Sequence, residues 1–435
     1  MKHIKAYALI YLGLVIYCLF YLSAFKTGWL DIFFSGAALH VGAKGIDFYQ
    51  LPRGAWAFWH GGSLTGDPLA DGSLYAQFAF ANANVYHPLF TLTLGSFLMF
   101  FAPAQAPYVW LGIKFVLSLL VVGYFYRSFR EYKYVQLAVF LLLANFSTYL
   151  ELAAEQFQFV LNMFILLFLI NIVKNRSPFV SSVYYALGLL VKPIGGLFVF
   201  ALFFKRYRWI AALGLTLFIL YTVVFWFNGV GVYYISNLWA NLFAGQKAGP
   251  NQIITLNALL RFSPLTNWPD FIYKVIQYVA LLGVILLSSW HRIHISKAIF
   301  FTIVYYLCFY EQVFEYQWSV LAYVLAVCVV LLPEFQTRFS IFCCLLICLP
   351  SCFLLLSLLH FDVQNVTGLG LLPDEPAWEL MVVSKLLPLF LLCGSVLLAD
   401  IKPFLKGLPR DRIAHVTLTT ERPVLSKETE LNRPK

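Results

Sequence analysis

Charge is scarce in this sequence. Of 435 residues, only 11% are Asp, Glu, Lys or Arg, whereas a water-soluble domain carries about 25%. This shortage excludes the two or three soluble domains that the length alone would suggest. Cysteine motifs are missing as well. All eight cysteines (Cys18, Cys308, Cys328, Cys343, Cys344, Cys348, Cys352 and Cys393) lie inside apolar stretches. Neither metal-ligand spacing nor an exposed disulfide framework fits there, and they read as small buried hydrophobes. There is no Walker loop, GxGxxG turn, GxSxG elbow or zinc-ligand spacing, so the chemistries those motifs carry are not indicated. The first apolar window, "AYALIYLGLVIYCLFYLSAF", lacks a small-residue cleavage site and is too long for a signal-peptide core, so a retained span is expected.

What is present is hydrophobicity. The chain is 61% hydrophobic with a mean hydropathy of +0.79, and apolar windows recur from residue 6 to residue 399. Each is long enough, or nearly so, to cross a hydrocarbon core as a helix, and in lipid a backbone must satisfy itself. The expected class is all-α, a polytopic integral membrane bundle of about twelve spans. They fall at 6–25, 107–126, 134–150, 157–173, 178–191, 194–204, 208–227, 271–290, 298–313, 318–333, 340–359 and 380–399.

The formal charge of +10 reports topology and not nucleic-acid binding, because the basic residues lack an amphipathic face with interleaved aromatics. They cluster instead in "MKHIK", "RSFREYK", "KNRS", "KRYR", "HRIHISK", "EFQTRF" and the tail 401–435. The alternate segments carry only Lys26, Lys44, Arg53, Lys192, Lys247 and Arg261. By the positive-inside rule both termini lie in the cytoplasm, as in a bacterial inner (plasma) membrane protein. This layout requires "HPLFTLTLGSFLMFFAP" (87–103) to lie at the outer interface and not to cross. The unit 1–400 is then a membrane domain with a first external loop at 27–106 and a second at 228–270, followed by the basic tail. Both loops are rich in aromatics with Gly and Pro punctuation, which suits interfacial helices. Loops of this length are usually functional or disordered, and this composition argues against disorder.

Several residues stand out. Asp31 follows the first span, and its helical repeat aligns it with Ser35, Ala38 and Gly42, a small and polar face; it serves either as a helix cap or as a carboxylate facing a watery site. Lys192 sits at "LVKPIGG" (190–196), where two short apolar pieces joined by Pro and Gly resemble half-helices around a cavity. It is either a snorkelling side chain or a cation for a phosphate. Arg261 is either an interfacial anchor or a fork-shaped phosphate clamp. Lys114 reads as snorkelling. Glu155 and Gln156 occupy a short external turn, either solvated or functional. Glu311 and Glu315 are spaced i, i+4, which predicts one helix face.

Taken together, Asp31, "VYHPL" (85–89), "EQFQF" (155–159) and "LVKPIGGLFVFALFFKRYRW" resemble glycosyltransferase family 87, polyprenol-phosphate-sugar-dependent enzymes of the GT-C fold. The resemblance runs over roughly residues 29–270. The family's Asp, small residues, Gly and Tyr match Asp31, Ala37, Ala38, Gly42 and Tyr49, and its aromatic-Pro-Leu element matches Tyr86, Pro88 and Leu89 around His87. Its Gly-Gln-x-Asn element appears as Glu155, Gln156, Phe157 and Gln158, a departure at the first and last positions. Its Lys-Pro break matches Lys192 and Pro193, and its basic-aromatic stop matches Lys205, Arg206, Arg208 and Trp209. Its Asn-Gln-to-Arg stretch matches Asn251, Gln252 and Arg261. Residues 53–84 read as an insertion.

The resemblance implies transfer of a hexose, often mannose, from a polyprenyl-phosphate donor to a lipid- or glycan-linked acceptor on the extracytoplasmic face, with Asp31 as base. Tyr49, His87, Glu155, Gln156, Lys192, Asn251, Gln252 and Arg261 would contact substrate. No cofactor or metal ligand set is expected. A transporter or flippase of a lipid-linked sugar, or a non-catalytic subunit of an envelope assembly, would share much of this composition, although no internal repeat relates the two halves.

Overall fold

A computed structural model describes residues 7–27, 29–30, 48–62, 64, 84, 86–205, 207–226, 232, 234–236, 253–262, 269–310, 313–351, 363–366, 370–373 and 375–405. Helix α1 (Ala8–Leu22) runs on into a wide π turn, Ser23–Thr27. From the first external loop come α2 (Gln50–Trp59) and α3 (Pro88–Leu98), the latter with a π turn at Thr91–Gly95. There follow α4 (Ala106–Phe129), α5 (Val135–Leu143), α6 (Phe146–Ala153), α7 (Gln158–Val173), α8 (Pro178–Val191), α9 (Phe198–Phe204) and α10 (Arg208–Val224). The chain continues with α11 (Leu256–Phe262), α12 (Asp270–Ser289), α13 (Ile295–Phe309), α14 (Ser319–Leu331) and α15 (Arg338–Cys348). Strands β1 (Val363–Val366) and β2 (Gly370–Pro373) pair antiparallel before α16 (Glu375–Leu405). The expected all-α class therefore holds for the bundle, with one hairpin added in a connection.

Local sequence explains the boundaries. Pro107 and Pro178 begin helices where a missing N–H costs nothing. Ser177 and Thr337 cap α8 and α15 by accepting from Val180 and Ser340 N–H. The span expected at 134–150 is divided, because Asn145 accepts from Ser147 N–H and starts α6 anew. The helix expected to continue through 311–315 stops at Phe309, and Glu315 opens a separate 3-10 turn, Glu315–Trp318; Glu311 lies outside the described residues.

The protein is a helical membrane protein. Among the described residues, five stretches are long and apolar enough to span: Ala8–Phe25, Ala106–Phe129, Val135–Ala153, Phe271–Ser289 and Trp378–Ile401. Helix α14 is apolar all round and buried from Ser319 to Val330, so it forms the bundle axis, packed against α5, α7 and α13. The outer helices expose rows of large apolar side chains, such as Leu12, Val15 and Leu19 on α1 and Val275, Val279, Leu282 and Leu286 on α12, which lipid can solvate. Cys18 belongs to this exposed set and is not the buried hydrophobe expected.

The two ends of the bundle differ chemically. Lys174 pairs with Glu131 at 3.4 Å, Lys205 donates to the Trp290 carbonyl, and Lys297 pairs with Asp400 at 2.9 Å and with Glu334. Among the described residues, the basic clusters thus share one end. Ile254 N–H donates to Val313 O at 2.8 Å and the Trp378 indole to Ile253 O at 2.9 Å, tying together the other end.

Helices α8 and α10 approach closely at Gly214, where a β-carbon would run into the Tyr185 ring. Overpacking of this kind costs about 1–3 kcal/mol. Gly214→Val should lower the thermal unfolding midpoint in detergent, and Gly112→Ala, with open space at its β-carbon, should not.

Candidate functional site

Lys114, on the first half of α4, does not snorkel. It is fully buried, and its Nζ donates to Glu151 Oε1 at 2.8 Å and to the Glu151 carbonyl at 3.1 Å. Snorkelling fails because α6 presents a carboxylate at the same depth, and two opposite intramembrane charges pair before either reaches water. Glu151 Oε1 also accepts from the Phe159 N–H at 3.1 Å, and its carbonyl accepts from Gln156 N–H at 3.1 Å. One ion pair therefore clamps both sides of the reversal between α6 and α7.

That reversal carries Glu155 and Gln156, and it is not a solvated turn: they are 5% and 1% exposed. Glu155 has φ of +53°, in the left-handed region where a β-carbon costs about 1–2 kcal/mol. Gln156 Oε1 receives the Tyr86 hydroxyl at 3.5 Å, whereas its Nε2 is buried with no hydrogen-bond partner among the described residues. The charge of Glu155 acts on Lys114, and that of Lys192 acts on Glu151. The four side chains thus belong to one electrostatic cluster.

Lys192 itself is extended (φ −149°, ψ 132°) between α8 and the 3-10 turn Pro193–Leu197. The broken helix read from "LVKPIGG" is present. Its Nζ stands 5.3 Å from the centre of the Tyr316 ring, which stacks on Phe314 at 5.9 Å. The strip carrying Tyr316 also anchors the approach to α11, since the Trp318 indole donates to Ile254 O at 3.2 Å. Arg261 lies in the last turn of α11, part-exposed, with its guanidinium 6.0 Å from the Phe262 ring.

The first external loop reaches this cluster through aromatics. Phe157, fully buried, meets Phe48, Tyr86, Phe90 and Trp110 at ring distances of 6.1, 5.3, 5.8 and 5.0 Å. Tyr49 is buried beside them and donates to Pro103 O at 3.4 Å. Ser23 Oγ joins the Tyr149 hydroxyl at 3.1 Å and accepts from Leu30 N–H at 3.1 Å, which fastens the residue preceding Asp31 to α6. Asp31, Asn251, Gln252 and Glu311 lie outside the described residues.

His87 has a structural role. Its Nδ1 accepts from Leu89 N–H at 3.1 Å, so the proton is on Nε2, which donates to Thr222 Oγ1 at 2.9 Å. The ring caps α3 and clips it to α10, and it is fully buried. Among the described residues, no group of three or more His, Cys, Asp or Glu side chains comes together to hold a metal.

Sequence reading missed Lys114, Glu151 and Tyr316 as members of this cluster. The available signal was the pair of opposite charges near matching ends of two spans. No family model matches the chain, and none of the curated proteins compared with it is significantly similar.

Two measurements follow from this geometry. Lys114→Met leaves a buried carboxylate unpaired and should destabilise the protein by about 3–5 kcal/mol, while the double variant with Glu151→Leu should recover most of the loss. Thermal unfolding of the four proteins in a double-mutant cycle reads the coupling. Burial holds the His87 imidazole down to about 4. An unfolded imidazole gains its proton near 6.5, so the unfolded state binds more protons between those values. Stability should therefore fall as pH drops from 6.5 to 4, by up to about 3 kcal/mol. His87→Asn, which retains a capping side chain, should flatten that part of the pH profile.

Proposed function

We propose that this protein is a membrane glycosyltransferase of the GT-C type, with about twelve spans, its basic end and both termini in the cytoplasm of a bacterial plasma membrane. It moves a hexose, mannose being the first choice, from a polyprenyl-phosphate carrier to a lipid- or glycan-linked hydroxyl on the outer face. The observation that carries this reading is Lys192 at a helix break, beside a buried and strained polar turn, at the end opposite the basic clusters. A helix broken within an apolar bundle, with a cation at the break, suits an anionic group held at the membrane edge. The family resemblance at Asp31, Lys192–Pro193 and Arg261 supports the same assignment.

The chemistry follows from those groups. Asp31 takes the acceptor hydroxyl proton, and the oxygen attacks the anomeric carbon. The bond from that carbon to the phosphate oxygen breaks, and the phosphate leaves with the electron pair. Being already ionised, it needs cations and not a general acid, which is the part for Lys192 and Arg261. One carboxylate and one displacement give inversion at the anomeric centre, in contrast to the two-step route of a carboxylate pair.

The test is transfer of labelled sugar from a polyprenyl-phosphate donor to a hydroxyl acceptor by purified protein in nanodiscs. Asp31→Asn should reduce turnover by 10²-fold or more with donor binding retained, and Lys192→Met should weaken donor binding. Carrier movement across the bilayer without transfer would replace this reading with a transporter. Full envelope assembly in cells by both variants would replace it with a non-catalytic subunit.

A further inference from the structure

The reversal at residues 154–157 bears two adjacent costs. Gln156 is 1% exposed, and with the Tyr86 hydroxyl on one amide atom, the other is buried with no hydrogen-bond partner among the described residues. Turning the amide over exchanges the atoms and leaves the same deficit. Leaving a buried polar atom unsatisfied is expensive, and native structures that do so invite a functional explanation. Next to it, Glu155 holds a left-handed backbone that glycine would adopt freely. The clamp from Lys114 through Glu151 to Phe159 N–H over-determines this geometry. The turn is thus built to hold a carboxylate acceptor and an open amide side by side, within electrostatic range of the cluster that includes Lys192.

An acceptor beside a donor complements neighbouring hydroxyl groups, each of which both donates and accepts. It does not complement phosphate, which the carboxylate repels. We infer that Glu155 and Gln156 read the hydroxyls of the donor's sugar ring, with Glu155 the specificity-determining residue, while Lys192 takes the phosphate. This rests on the reading of Lys192 given above.

Two soluble probes separate the parts: citronellyl phosphate, which offers only the phosphate, and citronellyl-phosphoryl-mannose, which adds the ring. Binding to the full chain in nanodiscs is measured by calorimetry. The wild type should bind the glycosylated probe about tenfold more tightly, the scale of one or two hydrogen bonds to a charged group. Glu155→Gly keeps the left-handed backbone available, so its melting temperature should be equal or higher. It should bring the ratio close to one without weakening the bare phosphate, and Gln156→Leu should lower the ratio in the same way. A ratio unchanged in both variants, or a parallel loss for both probes, overturns the assignment of the turn. A bare-phosphate affinity unaffected by Lys192→Met overturns the phosphate reading and this proposal with it.

Discussion

An ion pair removed from water inside an apolar bundle gains little stability on balance, because desolvating two charges offsets their attraction, and a well-packed apolar pair often does as well. Lys114 and Glu151 form such a pair, with each side chain at most 1% exposed. Its effect on this fold is therefore geometric. The ammonium holds both the side chain and the carbonyl of Glu151, and the same carboxylate oxygen reaches across the reversal to the Phe159 N–H. An apolar substitute could fill the volume but could not specify where α6 ends and α7 begins. The turn that results, with its left-handed residue, exists because this pair fixes its two ends.

Other constraints build outward from there. Phe157, placed by the turn, gathers rings from α4 and from the first external loop into one aromatic contact. His87 fastens α3 to α10 with both ring nitrogens engaged. Close approach between α2 and α3 depends on Gly95, whose β-carbon would lie 2.5 Å from Leu51 O. The described parts of a loop that spans many aromatic residues are thus bound to the bundle at one end. At the other end, Lys297 with Glu334 and Asp400 joins α13 to α16. Polar contacts concentrate at the two ends, and between them α14 is surrounded by apolar neighbours.

Many helix positions were legible because apolar windows are bounded by Pro, Gly, Asn or a basic cluster, signals that act locally, although the helix expected over 340–359 stops at Cys348. Lys192 at a break was legible for the same reason: Pro193 and two glycines cannot continue a regular helix. The pairing of Lys114 with Glu151 was not, since it joins residues on separate helices, and a single charge near a span end reads equally as snorkelling. The burial of Glu155 and Gln156 was not legible, because polarity at a reversal ordinarily means water and the sequence left a solvated and a functional turn equally open. Burial there comes from Tyr86 and Phe157, which no local pattern connects. The β1–β2 hairpin was hidden by its length, two strands of four residues in a connection between two apolar windows. Glu311 and Glu315 illustrate the opposite error, a spacing taken for a helix that ends at Phe309.

On the proposed reading, the depth of the site has its own logic. Two unit charges about 4 Å apart attract by about 1 kcal/mol in bulk water and about 4 kcal/mol at the effective dielectric of a protein surface. A cation fully in water would therefore stabilise a departing phosphate weakly, and one sunk in the bundle would be neutralised by a buried partner, as Lys114 is. Lys192 occupies the intermediate position, part-buried at a helix break with an aromatic ring beneath it. Lys114 is committed to Glu151, so on this reading Lys192 is the lysine placed to meet a ligand arriving from the membrane edge. A carboxylate serving as base has the opposite requirement: it must stay accessible to the acceptor and to water. Leu30, the residue before Asp31 in the sequence, is held by Ser23 against Tyr149.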